Sequence, residues 1–550
     1  MDRNLMKNSA IQFTAKRNKP MVDGVVDLSQ GVYERQAIGR CLSAINRPLH
    51  VIEQEGRIGL ISVDCDEQSF REQAGTHYIT GIPALPIEDL GDDGFKKTYR
   101  VRCAYYAGSM ANGIASVELV VAMGKAGFLA SFGAAGLARP QLESAIQRIQ
   151  AALPEGSFAA NLIHSPSEDA LERNAVEVYL QHGVHVVEAS AFIDLTPSIV
   201  YYRAAGLSQP GDGEVQIGNH VIAKLSRREI ATKFMQPAPE NILQQLVNAG
   251  RITPQQAGLA KQVPMADDIT VEADSGGHTD NRPLVCLLPT ILALRDEIQA
   301  KYNYAVPVRV GAAGGISTPA SALAAFMMGA AYIVTGSINQ SCIEAGTSEH
   351  TRRLLAQAGM ADVAMAPAAD MFEMGVKVQV LKHGTLFPMR AQKLYDLYSR
   401  YDSIDKIPAD EVEKLEKQVF KREFESIWQD TVKFFSERDP AQIERAQNNP
   451  KRKMALIFRW YLGLASRWSN SGEKGREMDY QIWCGPSMGS FNDWVRGTYL
   501  SEPENRRVVD LALQILTGAA CQYRLQTLKL KGLQIPTDLE QYYPMEPLLK

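Results

Sequence analysis

VRVGAAGGISTPASALAAFMMGAAYIVTGS, residues 308–337, reads as a short apolar strand, a glycine pair, a helix start and a second strand. VRVGAA has the small and β-branched residues of a buried strand, and Gly314-Gly315 ends it. Thr318-Pro319 offers an N-cap with proline in the first helical turn, ahead of Leu323, Phe326 and Met327 on one face. YIVTGS returns to strand character. The apolar stretch 320–338 nears the length of a membrane span, but Gly329, Thr335 and Ser337 favour a buried helix followed by a strand.

The same unit recurs outward from this stretch. VRCAYY (101–106), FLASF (128–132), FAANLI (158–163), HVVEAS (185–190), HVIAKLS (220–226) and DITVEA (268–273) precede it, and amphipathic helical patterns lie between. One of these has Ser167 as its cap and Leu171, Ala175 and Val178 on one face. Strand and helix alternate eight times over about 250 residues, which fits an α/β fold, a closed (β/α)8 TIM barrel, with an open doubly wound sheet as the lesser alternative. The longer gap between the fifth and sixth strands holds PAPENILQQLVNAGRITPQQAGLAKQ (237–262) and predicts a helical insertion near 228–266 over one end of the barrel.

A chain of 550 residues exceeds a usual single domain and can bury a core without disulfides. Three regions are expected. Residues 1–98 form a small mixed region in which PLHVIEQEGRIGLISV (48–63) makes two strands about a turn at Glu55-Gly56, and IEDLGDDGFKK (87–97) reads as a linker. Residues 99–345 form the barrel, and residues 346–550 a mostly α-helical region. Its helices are ADEVEKLEKQVFKREFESIWQDTVKFFSER (409–438, with Val412, Leu415 and Val419 at helical spacing), KMALIFRWYLGLASRW (453–468) and RRVVDLALQILTGAACQYRLQTL (506–528).

The net charge is only −4, from 58 basic and 62 acidic residues, so neither nucleic acid nor an anionic membrane held by bulk charge is indicated as a partner. Small molecules or proteins fit better, and a homodimer is compatible with the composition. Cys41, Cys65, Cys103, Cys286, Cys342, Cys484 and Cys521 are scattered and never spaced as CxxC, so neither a disulfide framework nor a zinc site is expected. A reducing cytoplasm suits them. The first twenty residues, MDRNLMKNSAIQFTAKRNKP, lack the apolar run of a signal peptide.

In such a barrel the reactive groups sit at the C-terminal ends of the strands, and a phosphate commonly lies between the loops after strands seven and eight. Ala313, Gly314 and Gly315 occupy the first position and Gly336 and Ser337 the second, where open backbone N–H groups and a helix N-terminus suit a phosphate. No GxGxxG or P-loop lysine motif accompanies them. A flat aromatic cofactor with one phosphate would need small residues at the end of the first strand, and Ala107, Gly108, Ser109 and Met110 supply them. Asn161 after the third strand and Lys224 in the fifth could meet the ring edges; otherwise they are a loop-capping asparagine and a partly solvated lysine. In ADSGGHTDNRPL (273–284), Gly276 and Gly277 would let the backbone pass beside the cofactor while His278 enters the mouth as a proton carrier. Alternatively His278 only bonds a loop carbonyl.

With these residues the chain resembles, over approximately 100–345, the FMN-binding barrels of the enoyl reductase and nitronate monooxygenase superfamily, which carry an SGGH-like segment, a GGI phosphate loop and a final G-[ST] loop. FEMGVKVQVLKHGTLFPMRAQKLYDLY (372–398) and MDYQIWCGPSMGSFNDWVRGTYL (478–500) extend the likeness to the PfaD family, separate enoyl reductase subunits of polyunsaturated fatty acid and some polyketide synthases. The resemblance implies FMN at the residues named above, NADPH or NADH as co-substrate, and reduction of an enoyl thioester on acyl carrier protein. By its position after the sixth strand, His278 is assigned as the proton donor or the group that polarises the thioester carbonyl. A nitronate-oxidising flavoenzyme and a non-catalytic assembly subunit are the competing readings. Trp483, Phe491 and Trp494 would be core or, less favoured, a docking surface.

Overall fold

The computed structural model describes residues 32–33, 35–63, 76–166, 169–211 and 213–549; the N-terminal stretch 1–20, Cys65 and the Ser167 cap lie outside them. By its contacts the chain forms two units, 1–86 with 523–540, and 87–522 with 541–550. In the first, Leu49–Gln54 is the central strand of an antiparallel sheet, between Arg57–Ile61 and Thr76–Ile82. Gln54 pairs with Arg57, and Glu55 and Gly56 turn the chain at φ 50° and 74°, the two-residue hairpin that strand twist favours. Arg524, fully buried, donates to the carbonyls of Ala44 and Ile45 at 3.0 Å each and to that of Arg47. These carbonyls, with that of Leu42 at 3.5 Å, offset the burial of its two terminal guanidinium nitrogens.

The second unit contains a closed parallel barrel of eight strands: β1 Tyr105–Ala107, β2 Leu129–Phe132, β3 Ala159–Ile163, β4 Val186–Ser190, β5 His220–Leu225, β6 Asp268–Glu272, β7 Arg309–Ala313 and β8 Ile333–Thr335. Ile333 of β8 pairs with Tyr105 of β1 and closes the ring. The apolar stretch 320–338 becomes helix Pro319–Met327, capped by the Thr318 hydroxyl, followed by β8. The two extra helices between β5 and β6, Glu240–Asn248 and Pro254–Leu259, pack on helix Pro197–Ala205. They bury Leu243, Leu246 and Leu259, so the insertion sits on the barrel's flank instead of over its end.

The expected linker at 87–97 is instead part of the barrel's floor. Asp92 accepts from the Phe95 N–H at 2.8 Å and starts helix Asp93–Tyr99, whose Phe95 and Tyr99 are fully buried one turn apart. Phe95 stacks on Tyr332 with centroids 4.2 Å apart, and the Tyr99 hydroxyl donates to Asp268, which also holds Arg309 at 2.7 Å. The glycines that suggest a linker serve packing: a Cβ on Gly91 would lie 2.4 Å from Ala104 Cβ and 2.5 Å from the Ala331 carbonyl.

Beyond the barrel the chain is not purely helical. Val363–Pro367 and Lys377–Leu381 form an antiparallel pair to which Gly277–His278 adds a third strand. The alternation in VKVQVL is short and is masked by the helical patterns around it. The helical run at 409–438 is also interrupted: Ala409–Lys414 passes into a π-turn at Leu415–Phe420, Lys421 takes φ 56°, and a new helix covers Phe424–Arg438. Phe372, Phe420, Phe424, Phe458 and Tyr461 form the core here. Buried Asp479 ties it to its loops by accepting from Arg390, from the Tyr461 hydroxyl at 2.8 Å and from Arg476 at 3.1 Å.

Candidate active site at the mouth of the barrel

The C-terminal ends of the strands open into a cavity of about 590 Å³. Gly108, Ser109 and Met110 line it after β1, Asn161 in β3, Lys224 in β5, and Gly276, Gly277 and His278 after β6. Ala313, Gly314 and Gly315 line it at the end of β7, and Gly336 and Ser337 after β8. Ala107 does not. It lies within β1, fully buried, and because Tyr106 points into the barrel, alternation turns the Ala107 side chain outward. Asn161 is inside β3, not after it, and its amide donates to the Glu188 carbonyl at 3.2 Å and to Ser190 Oγ at 2.6 Å.

Glu188, unremarked in the sequence, organises the floor of this cavity. Fully buried in β4, it accepts from Ser109 N at 2.9 Å, Ser109 Oγ at 3.0 Å and the Tyr106 hydroxyl. Lys224 Nζ lies 3.4 Å from Glu188 and 3.3 Å from Glu272, so the lysine is paired and not merely solvated. Burial alone would push the Glu188 carboxyl up, but Lys224 and the donors from Tyr106 and Ser109 outweigh it and hold it below the ordinary carboxylate range. Burial would likewise pull the Lys224 ammonium down, yet Glu272 and Glu188 hold it well above its usual value. The readable signal was a charged residue inside the apolar run HVVEAS, which a barrel interior tolerates only when paired.

The glycines divide by what a side chain would meet. A Cβ on Gly276 would lie 2.8 Å from the Cys484 N and 3.0 Å from its Cα, and one on Gly314 2.6 Å from the Ala273 carbonyl carbon. These two are small because protein backbone passes there. At Gly315 and Gly336 no heavy atom of the described residues lies within 4 Å of that position, which leaves a cradle between the last two strand ends. Beside it the Gln340 amide nitrogen and Ser317 hydroxyl are buried without a hydrogen-bond partner among the described residues. Buried donors of this kind call for an acceptor.

His278 Nε2 lies 3.2 Å from Asp370 Oδ1. Its partner is therefore a carboxylate, not a loop carbonyl. His278 pairs with Val378 and Gly277 with Gln379; the Gln379 amide donates to Asp274 and to the Ser275 carbonyl, both at 2.7 Å. Leu381 N donates to the Ile482 carbonyl, and Gly485 N to Ser337 Oγ at 3.1 Å. The segments 372–398 and 478–500 thus meet around the SGGH turn. Trp483 is half-buried in the cavity wall, whereas Phe491 and Trp494 are core.

Helix Pro450–Ser471 roofs the cavity with Leu456, Arg459, Trp460 and Gly463, joined by Phe434 of helix Phe424–Arg438. Asn112, in the loop after β1, donates to Ser466 Oγ at 2.7 Å and fastens the roof to the mouth. Among the described residues no helix is long and apolar enough to cross a membrane, and no group of His, Cys, Asp and Glu is placed to hold a metal ion.

Comparison with known proteins agrees with this architecture. A family model described as the inserted helical domain of [acyl-carrier-protein] S-malonyltransferase matches residues 401–480. The chain is 53% identical over 457 residues, 82% of its length, to a polyunsaturated fatty acid synthase subunit of Thraustochytrium sp. (strain ATCC 26185 / S-3). It is 48% identical over 437 residues, 79% of its length, to polyketide biosynthesis protein PksE of Bacillus subtilis (strain 168). It spans 30% and 57% of those two proteins. Among solved structures, the enoyl reductase domain of MlnA from the macrolactin biosynthesis cluster of Bacillus amyloliquefaciens superposes with a TM-score of 0.76 at 39% identity, over 80% of this chain and 100% of that one. At 39% identity over the whole of that domain, the chain belongs to the same family as it, the PfaD family.

Proposed function

We propose that this protein reduces the 2,3 double bond of enoyl thioesters carried on acyl carrier protein, in the service of a polyunsaturated fatty acid or polyketide synthase. The observation that carries this is the joining, in one cavity, of an open glycine cradle, a half-buried Lys224 charge paired with two carboxylates, and the His278–Asp370 pair. The residues fit a flavin mononucleotide. The N–H groups of Gly314, Gly315 and Ser337, the Gln340 amide and the N-terminus of helix Pro319–Met327 would hold its phosphate. Gly108, Ser109, Met110, Asn161 and Lys224 would border its ring.

Bound there, such a flavin supplies hydride transfer from NADPH or NADH to an activated alkene. The chain's own residues do the rest. Glu188 and Glu272 keep Lys224 charged and fixed at the floor, where positive charge stabilises anionic character. His278 delivers a proton to the thioester's α-carbon. Leu456, Trp460 and Phe434 keep water from the reacting atoms and offer apolar surface to the acyl chain.

The purified protein is expected to be yellow, to bleach with NADPH in the absence of oxygen, and to regain colour on adding an enoyl thioester. Colourless protein, or recovery only with oxygen and a nitronate, would refute the assignment. In His278→Ala, bleaching by NADPH should survive while recovery with the enoyl thioester slows by about a hundredfold.

A further inference from the structure

The nearest partner of His278 comes from outside the barrel. Asp370 lies between strand Val363–Pro367 and the turn Phe372–Met374, and its carboxylate accepts from the Met371 N–H at 3.1 Å. A short way on, the chain enters strand Lys377–Leu381 and pairs Val378 with His278 itself. Backbone pairing and side-chain contact therefore fix the same two segments against each other. Both side chains line the cavity and are about one-third exposed, at 31% and 30%.

On the enoyl reductase reading, on which this inference rests, we propose that Asp370 is a positioning residue for His278. Its carboxylate binds the imidazole through Nε2–H, turns Nδ1 toward the substrate, and keeps on the ring the proton that the substrate takes up. The balance is simple. The β-carbon gains a hydride that originates on the reduced nicotinamide, which is oxidised. The π electron pair of the alkene forms the new C–H bond at the α-carbon with a proton from Nδ1–H. The imidazole is left neutral and regains its proton from water.

The charged groups around the pair favour this assignment. Burial pulls the His278 imidazole down, the Asp370 carboxylate outweighs it with help from Glu272, and Lys224 opposes, the net direction being upward. Burial would push Asp370 up, but His278 and, from the roof, Arg459 hold it below the ordinary carboxylate range. A donor whose folded value is raised keeps its proton until the pH climbs through that value, so alkene reduction should fall at alkaline pH. Without Asp370 that fall moves to lower pH.

The test is Asp370→Asn in the full chain, with two readouts. In NMR titrations, with His278→Ala used to assign the resonance, the His278 midpoint should drop by about one unit or more. In single-turnover recovery of NADPH-reduced protein with a crotonyl thioester, the rate at pH 8 should fall about tenfold or more while the loss at pH 6 is smaller. NADPH-driven bleaching should fall much less than thioester recovery does, and Asp370→Glu should restore part of the recovery rate. An unshifted titration with a wild-type pH profile would overturn the proposal, as would equal loss of both half-reactions. If wild type itself fails to reduce the thioester, the enoyl reductase reading falls, and the titration still decides whether Asp370 governs His278.

Discussion

Glu188 shows how one buried side chain can be read physically once its neighbours are known. Glu188→Ala would leave the Lys224 ammonium with Glu272 alone and free the Ser109 N–H and Tyr106 hydroxyl of their acceptor. A loss of about 3–5 kcal/mol is expected in urea unfolding at pH 7, with a smaller loss for the isosteric Glu188→Gln. The pH dependence has a definite sign. Because the folded carboxyl sits below its unfolded value of about 4.3, its stabilisation is present above that value and lost as pH falls through the folded one. Glu188→Gln should therefore flatten the decline in urea midpoint between about pH 5 and 3. The glycines form a second test at this scale. Gly276→Ala meets the Cys484 backbone, so it should lower stability by about 1–3 kcal/mol. Gly315→Ala meets open space at φ 75°, so it should cost only about 1 kcal/mol but place a methyl in the cradle and reduce the bound flavin measured by absorbance. The sequence around Gly276 suggests room made for a cofactor; the structure adds that this cavity-lining glycine also packs against the backbone of Cys484, far along the chain.

At the level of elements, those with strong local punctuation are readable from the sequence. Thr318-Pro319 starts a helix, Glu55-Gly56 turns a hairpin, and each barrel strand lies at its apolar run. The failures have a common cause in weak local signals that distant packing overrides. Gly91 and Gly94 make the segment before β1 look like a linker, although Phe95 and Tyr99 carry it into the barrel floor. Val363–Pro367 and Lys377–Leu381 gain their strand pairing from each other and from Gly277–His278, and the sequence between them gives only a short alternation. Ala107 ends β1 where the sequence pattern puts it, but its side chain faces away from the cavity, and Asn161 lies within β3 instead of after it.

The molecule as a whole adds a roof to an otherwise ordinary barrel. A chain ending at residue 345 would keep all eight strands but lose Asp370, Gln379, Cys484–Gly485 and the helix Pro450–Ser471. Such a truncation is expected to purify colourless or aggregate, since it exposes the apolar cavity walls and frees the SGGH turn. Soluble yellow protein with wild-type NADPH bleaching would contradict that. The eight strand–helix units, the glycine cradle after β7 and β8, and the candidacy of His278 follow from short-range periodicity and from glycine, proline and capping residues, because such signals act within a few residues of chain. The carboxylate behind His278, the charges that fix Lys224 and the cover over the mouth arise from contacts between residues far apart in sequence, Asp370 and His278 being 92 positions distant. Loop closure over such lengths leaves no periodic trace, so folding alone brings those groups together.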